Sequence, residues 1–257
     1  MPIFSSGEFF RAIKRKPQNF YLIHYSCQSL YDDNDGLSPR ITSIAINHYA
    51  TQQVVSFSTH AIAEELKIDR EGVEKNFDQI EAELLARFYK FVRDRRAACW
   101  VHWNMRNLTY GFEHLEHRYR TLGGSDAPVI PVEQRINLYD KLGERYGEDY
   151  AADPKMPSLM RLNGGLHRYF LTGAEEVEAF KNKEYIKLHN STLCKVGFFH
   201  RVIDLTLQGK LNTSAQGWGV RLDRLFESRT AKLIALVGTG VTIGVGVYQM
   251  YLWITGQ

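Results

Sequence analysis

The sequence predicts an α/β domain, a mixed sheet flanked by helices, followed by one transmembrane helix. Three patterns predict it: short apolar runs parted by turn formers near the start, a later alternation of helical and extended periods, and an uncharged run over residues 233–254. The 257 residues, 44% apolar and 24% charged, suffice for a sizeable core and exclude a disordered chain.

Residues 20–25, 41–47 and 53–57 read as strands. The intervening "YDDNDGLSPR" supplies Asp, Asn, Gly and Pro, and "HYATQQ" links the next pair, so the three make an antiparallel meander. Residues 78–96 read as a helix, because Ile80, Leu84, Phe88, Phe91 and Val92 recur at helical spacing with charges on the opposite side. "ACWVHW" (98–103) returns as a strand and 107–120 is helical. "GGSDAPVIP" is a loop, and a short extended piece at Ile136 precedes a helix over 140–146. The stretch to Leu211 reads as helical, punctuated by Pro157, Gly164, Gly165 and Gly173. A meander followed by strand and helix alternation gives a mixed sheet covered by helices.

After Leu211, "NTSAQGWG" reads as a linker. Residues 220–230 are amphipathic, with Leu222, Leu225 and Phe226 set against Arg221, Arg224 and Arg229, a pattern suited to a membrane surface. The run 233–254 carries no charge and one strongly polar side chain, Gln249. As a helix it spans about 33 Å, enough for a hydrocarbon core of about 30 Å. Arg221, Arg224, Arg229 and Lys232 precede it, and Tyr248, Tyr251 and Trp253 gather near its far end like an interfacial belt. The basic side is expected in the cytoplasm, which makes a single-pass membrane protein with a cytoplasmic N-terminal domain. "GTGVTIG" sets Gly238, Gly240 and Gly244 in a loose dinucleotide-like spacing, but the fingerprint needs a following strand and an acidic residue about 20 positions on, which the sequence does not supply. Three divisions follow: 1–211 as the cytosolic domain, 212–230 as linker and amphipathic helix, and 231–257 as the membrane helix.

Lys and Arg number 32 against 29 Asp and Glu, so the net charge of +3 does not by itself argue for nucleic acid. Basic residues beside aromatics in "FFRAIKRKPQNFY" and "EHRYR" are the candidates for backbone contact. Cys27, Cys99 and Cys194 lack C-x-x-C spacing and sit in apolar segments, as reduced cytosolic thiols do. The start of the chain lacks the apolar run of a secretory signal. Asp32, Asp33, Asp35 and Gly36 hint at a calcium loop, yet Tyr31 and Thr42 stand where it needs an acidic residue and a Glu, so the reading is a solvated turn.

Three segments, "FYLIHYSCQSLYDDNDGLSPRITSIAI", "WVHWNMRNLTYGF" and "LHNSTLCKV", together with the element order, resemble the DEDD-type 3′–5′ exonucleases of the ribonuclease-H-like superfamily over roughly residues 18–211. The resemblance implies a ribonuclease-H-like fold. It sets His24 and Ser26 in the places of the first two carboxylates, Thr109 in the third and Cys194 in the fourth; His189 alone matches. Such enzymes hold two divalent ions with carboxylate oxygens. Magnesium prefers oxygen and binds imidazole or thiol weakly, so this set implies a degenerate site with no catalytic residues, metal or cofactor. His24, His189 and Cys194 are also zinc-type donors, should they converge. An active exonuclease built on Glu113, Asp140 and Asp204 is the competing expectation, and a purely structural anchor of a protein complex is a third.

The function expected is sensing of nucleic acid, a nucleotide or a protein partner, passed to the membrane. Sensing domains joined to one glycine-rich membrane helix resemble membrane effectors of prokaryotic antiviral defence. Helices in lipid associate through close packing at small residues, and Gly240 and Gly244, four apart, share a face. A homo-oligomer through the membrane helix is therefore expected. Gly240→Ile with Gly244→Ile should abolish crosslinked oligomers in membranes while leaving insertion intact; unchanged crosslinking would place assembly elsewhere.

Overall fold

The computed structural model describes residues 4–29, 38–106 and 108–214. The expected membrane helix with Gly240 and Gly244, the amphipathic approach to it and the acidic turn at Asp32, Asp33 and Asp35 lie outside the described residues. No described helix is long and apolar enough to cross a membrane.

The chain opens with helix α1 (Ser6–Arg15), which the strand-centred reading of the sequence passes over. Its start is written locally: Ser5 Oγ accepts from the Glu8 amide and the Glu8 carboxylate accepts from the Ser5 amide at 2.8 Å. Phe9, Phe10 and Ile13 recur at helical spacing and are buried. The phenylalanines of "FFRAIKRKPQNFY" thus belong to the core, and its basic residues remain the candidates for backbone contact.

Three antiparallel strands follow, β1 (Phe20–Cys27), β2 (Ile41–His48) and β3 (Val54–Ser58). Helices α2 (Thr59–Glu65) and α3 (Phe77–Arg93) then cross to β4 (Cys99–His102), parallel to β1. Helix α4 (Phe112–Thr121) leads to β5 (Arg135–Asn137), parallel to β4. The sheet order is β3-β2-β1-β4-β5. The predicted α/β class and mixed sheet are found. Crossovers long enough to contain a helix are what parallel neighbours require, and they bring the N-terminal meander and the later strands together around β1. Helix α4 starts five residues later than predicted, because Gly111 is extended (φ −177°, ψ −169°) and ends the irregular segment before it.

After β5 come α5 (Leu138–Tyr146), α6 (Lys155–Leu162), α7 (Gly173–Lys181) and α8 (Tyr185–Leu207). Pro157 and Gly173 sit in first turns, where backbone N–H groups lack helical partners anyway, so they mark helix starts rather than breaks.

Strand β1 is buried on both faces. Ile23, Tyr25 and Cys27 point to a core shared with α3 and α4, including Ile80, Leu84, Phe88 and Leu115. Leu22, His24 and Ser26 point the other way, where α8 lies across β1 and β2. On the first face an ion pair is buried. Glu81 and Arg118 meet at 2.5 Å, with side-chain exposures of 0% and 8%. Glu81 also accepts from the Ile41 amide at 2.9 Å, and Arg118 donates to Ser38 Oγ at 3.1 Å. Burial raises the Glu81 carboxyl, opposed by Arg118, while Glu81 holds the Arg118 guanidinium up against the cost of its own burial. Arg118 of "EHRYR" is therefore a core residue and not a phosphate contact.

Several histidines are enclosed. Burial lowers His102 to about 3, with Arg135 and Arg106 adding to it, and lowers His114 to about 4. Their neutral rings work as hydrogen-bonding groups: His114 pairs with the Tyr25 hydroxyl at 3.0 Å and the Pro39 carbonyl oxygen at 2.9 Å. A histidine with a lowered folded-state pKa binds fewer protons in the native than in the unfolded state. Its stabilisation is complete above the unfolded value near 6.5 and is lost as pH falls toward the folded value. Unfolding free energy measured by denaturant titration should fall between pH 6.5 and about 4.5, each such histidine contributing a slope of up to about 1.4 kcal/mol per pH unit. A flat profile in that window would mean that these rings are not held neutral.

Candidate functional site

The site is built under α8. Its buried stripe runs through Leu188, Ser191, Thr192, Lys195, Val196, Phe199, Val202 and Ile203, the spacing of one helical face. A lysine, two hydroxyls and apolar side chains therefore meet the sheet together. Ser26, projecting from the C-terminal end of β1, lies 2.7 Å from the Thr192 hydroxyl, and either group donates. Helix α7 brings an anion to the same place. Thr172 caps that helix with Glu175 in a reciprocal box, and Glu176, the next residue, turns inward. Glu176 Oε1 accepts from Lys195 Nζ at 2.6 Å, Ser191 Oγ at 2.8 Å and Ser26 Oγ at 3.2 Å. Ser191 Oγ also accepts from the Leu171 amide at 3.2 Å, tying in the loop before α7. The Lys195 ammonium stands 5.3 Å from the Phe170 ring centre. Side-chain exposures of 7% for Lys195 and 15% for Glu176 make this a buried, hydrogen-bonded ion pair.

His24 lies two residues before Ser26, on the same face of β1. Its ring stands edge-on to Phe199 at 5.8 Å, and Nδ1 pairs with the Tyr110 hydroxyl at 3.2 Å. Burial, then the nearby Lys195 and His102, hold it well below the usual histidine range, so it is neutral at neutral pH. His189 sits elsewhere on α8, above β2 and β3. Its Nδ1 is 2.8 Å from Ser43 Oγ and its Nε2 3.3 Å from Ser56 Oγ, and burial lowers it to about 4. Cys194 is on the outward side of α8, half-buried, its thiol pushed up to about 11 by burial. Thr109 is exposed in the irregular segment before α4.

Of the residues read from the sequence, the structure thus brings His24 and Ser26 to one site and distributes Thr109, His189 and Cys194 around it. No group of three or more His, Cys, Asp or Glu that could hold a metal exists among the described residues. The zinc set of His24, His189 and Cys194 does not converge, because Cys194 falls on the helix face opposite to Lys195's stripe. The carboxylates of the competing expectation are engaged separately. Glu113 pairs with Arg135, Asp140 meets Arg106 at 2.5 Å, and Asp204 accepts from the Tyr49 hydroxyl at 2.7 Å.

Sequence reading missed Glu176, Lys195 and Thr192. Their signal was a lysine on the apolar stripe of a long helix together with two adjacent glutamates after a Thr cap, but nothing local reveals that the two helices share one pocket. Chemically, two-metal hydrolysis needs several carboxylates around open coordination positions. Here one carboxylate is present, and an ammonium and two hydroxyls engage it. A serine nucleophile needs an approach path for substrate, and Ser26 is 1% exposed. The arrangement stores a neutralised charge and offers no reacting atom to solvent.

Breaking the pair on one side should be costly. Glu176→Leu leaves the Lys195 ammonium without a carboxylate and should lose about 3–5 kcal/mol in denaturant unfolding, while the double variant with Lys195→Met should regain most of it. A single variant as stable as the parent would show that the cluster does not close this side of the sheet. No family model, curated protein or solved structure matches this chain.

Proposed function

We propose that this chain is a tail-anchored membrane protein whose cytosolic domain is a degenerate ribonuclease-H-like, exonuclease-like module that recognises nucleic acid, a nucleotide or a protein partner without cleaving it. The carrying observation is the Lys195–Glu176 pair with Ser26, Ser191 and Thr192. At the end of β1, where the resemblance puts metal-holding carboxylates, a side-chain ammonium neutralises the single carboxylate. Covalently attached and desolvated, it cannot exchange for an incoming ion without refolding its surroundings.

The sheet supports the fold part of this reading. A three-strand antiparallel meander extended by two parallel strands through helical crossovers follows the element order on which the resemblance rests. The uncharged run 233–254 and its basic flank support the anchor. Recognition and membrane response in one chain fit the pattern of antiviral defence effectors, with assembly through the glycine face of the membrane helix as the output.

Full-length protein incubated with end-labelled single-stranded DNA or RNA and Mg²⁺ or Mn²⁺ should leave the strand at full length. Metal-dependent shortening would sink the degenerate reading and favour the active exonuclease. A protein partner retained in the absence of any nucleic-acid binding would favour the structural anchor instead.

A further inference from the structure

The surface of the domain is uneven around the point where the described chain ends. Asn212 is fixed to the end of α6: Asn163 Nδ2 donates to the Asn212 carbonyl oxygen at 2.9 Å, the Asn212 amide donates to Asn163 Oδ1 at 2.9 Å, and Asn212 Nδ2 donates to the Leu162 carbonyl oxygen at 3.2 Å. Asn163 in turn lines a cavity of about 800 Å³ between the loop after α6 and the outward side of α8. The described chain therefore ends beside the rim of this cavity.

The same rim mixes cations with exposed apolar groups. Leu162, Leu166 and Tyr169 are 39%, 43% and 42% exposed, large values for such side chains in a domain with an ample core. Arg168 and Arg201 line the cavity, both exposed and neither in an ion pair among the described residues. The Arg168 guanidinium lies 4.5 Å from the Tyr169 ring centre. Arg201 is accommodated by Gly164, at positive φ (+117°), where a Cβ would come within 2.6 Å of the guanidinium. No Asp or Glu occurs between Asp153 and Glu175. From Tyr185 to Ser214 the single acidic residue, Asp204, is taken by Tyr49.

We infer that this face docks on an anionic phospholipid surface, with headgroup phosphates between Arg168 and Arg201 and with Leu166 and Tyr169 entering the interface. The inference rests on the membrane anchor proposed above. Eighteen residues, 215–232, separate Ser214 from the uncharged run, which bounds their separation at about 60 Å at ~3.3 Å per residue. A face leashed to a bilayer meets it at high effective concentration, so a few contacts suffice for docking. In sequence, Arg221, Arg224, Arg229 and Lys232 before the uncharged run are cations of the kind an anionic leaflet attracts. Exposed leucine and tyrosine flanked by arginine are the side chains that settle at an interface, apolar part inward and charge at the headgroups.

The test uses full-length protein reconstituted in phosphatidylcholine vesicles with and without phosphatidylserine. Amide hydrogen exchange in residues 161–170 should be slower in the anionic vesicles, with β2 amides unchanged. Arg168→Glu with Arg201→Glu should remove the difference, lowering the docked-to-free ratio by about tenfold or more. Leu166→Ser with Tyr169→Ser, which leaves Gly164 and Arg201 undisturbed, should lower it in the same direction. Equal exchange in both vesicles, or protection that appears only when an oligonucleotide is added, overturns the docking surface. Alkaline carbonate extraction separates the two levels: release of the protein removes the anchor reading, whereas retention with equal exchange removes only the docking face.

Discussion

A lysine on the apolar stripe of α8 must find an anion once that stripe is pressed onto the sheet, because an unpaired ammonium in that position costs far more than the packing gains. Lys195 finds Glu176, and much of the domain's second half follows from the pairing. Helix α7 must lie with its first turn over the end of β1, which the Thr172 cap and the preceding loop arrange. One turn earlier on α8, Ser191 donates its hydroxyl to Glu176, and Thr192 pairs with the Ser26 hydroxyl. Ser26 is then drawn into the network as its donor from the strand. A single buried charge thereby fixes the relation of a strand, a loop and two helices.

The opposite side of the sheet is held on the same principle by different elements. Glu81 of α3 and Arg118 of α4 form a bidentate, desolvated pair, and Glu81 also accepts the amide that opens β2. Each face of β1 thus carries one internal ion pair embedded in apolar packing. Replacing such pairs with apolar side chains can leave stability unchanged, so their effect is best seen as specification of geometry: each charge accepts one partner arrangement and rejects neighbours that leave it unpaired. The neutral histidines extend this: burial keeps His24, His114 and His189 uncharged, and each ring is hydrogen-bonded within the fold.

A domain that fills the end of its central strand has moved its exposed chemistry outward. Polar groups under α8 are spent on one another, whereas the loop after α6 and the outward side of α8 present cations and apolar side chains to solvent. That division places Arg168 and Arg201 beside the point where the described chain ends.

By itself the sequence determined the elements whose signals are local. Alternation and turn residues set the three-strand meander, and helical spacing set α3. The box at Ser5 and Glu8 was equally local, and α1 was there to be read. Tertiary structure alone decided which polar residues meet. His24 and Ser26 are two apart on a strand, so the pleat puts them on one face, and that much followed from sequence. Cys194 and Lys195 are adjacent in sequence, and the packing of α8 sends the thiol outward and the ammonium inward. Glu176 lies 19 residues from Lys195 and 150 from Ser26. The physical reason is that periodicity reports which face of an element is apolar, while the partner of a buried charge is chosen by desolvation, acting between elements that only folding brings together.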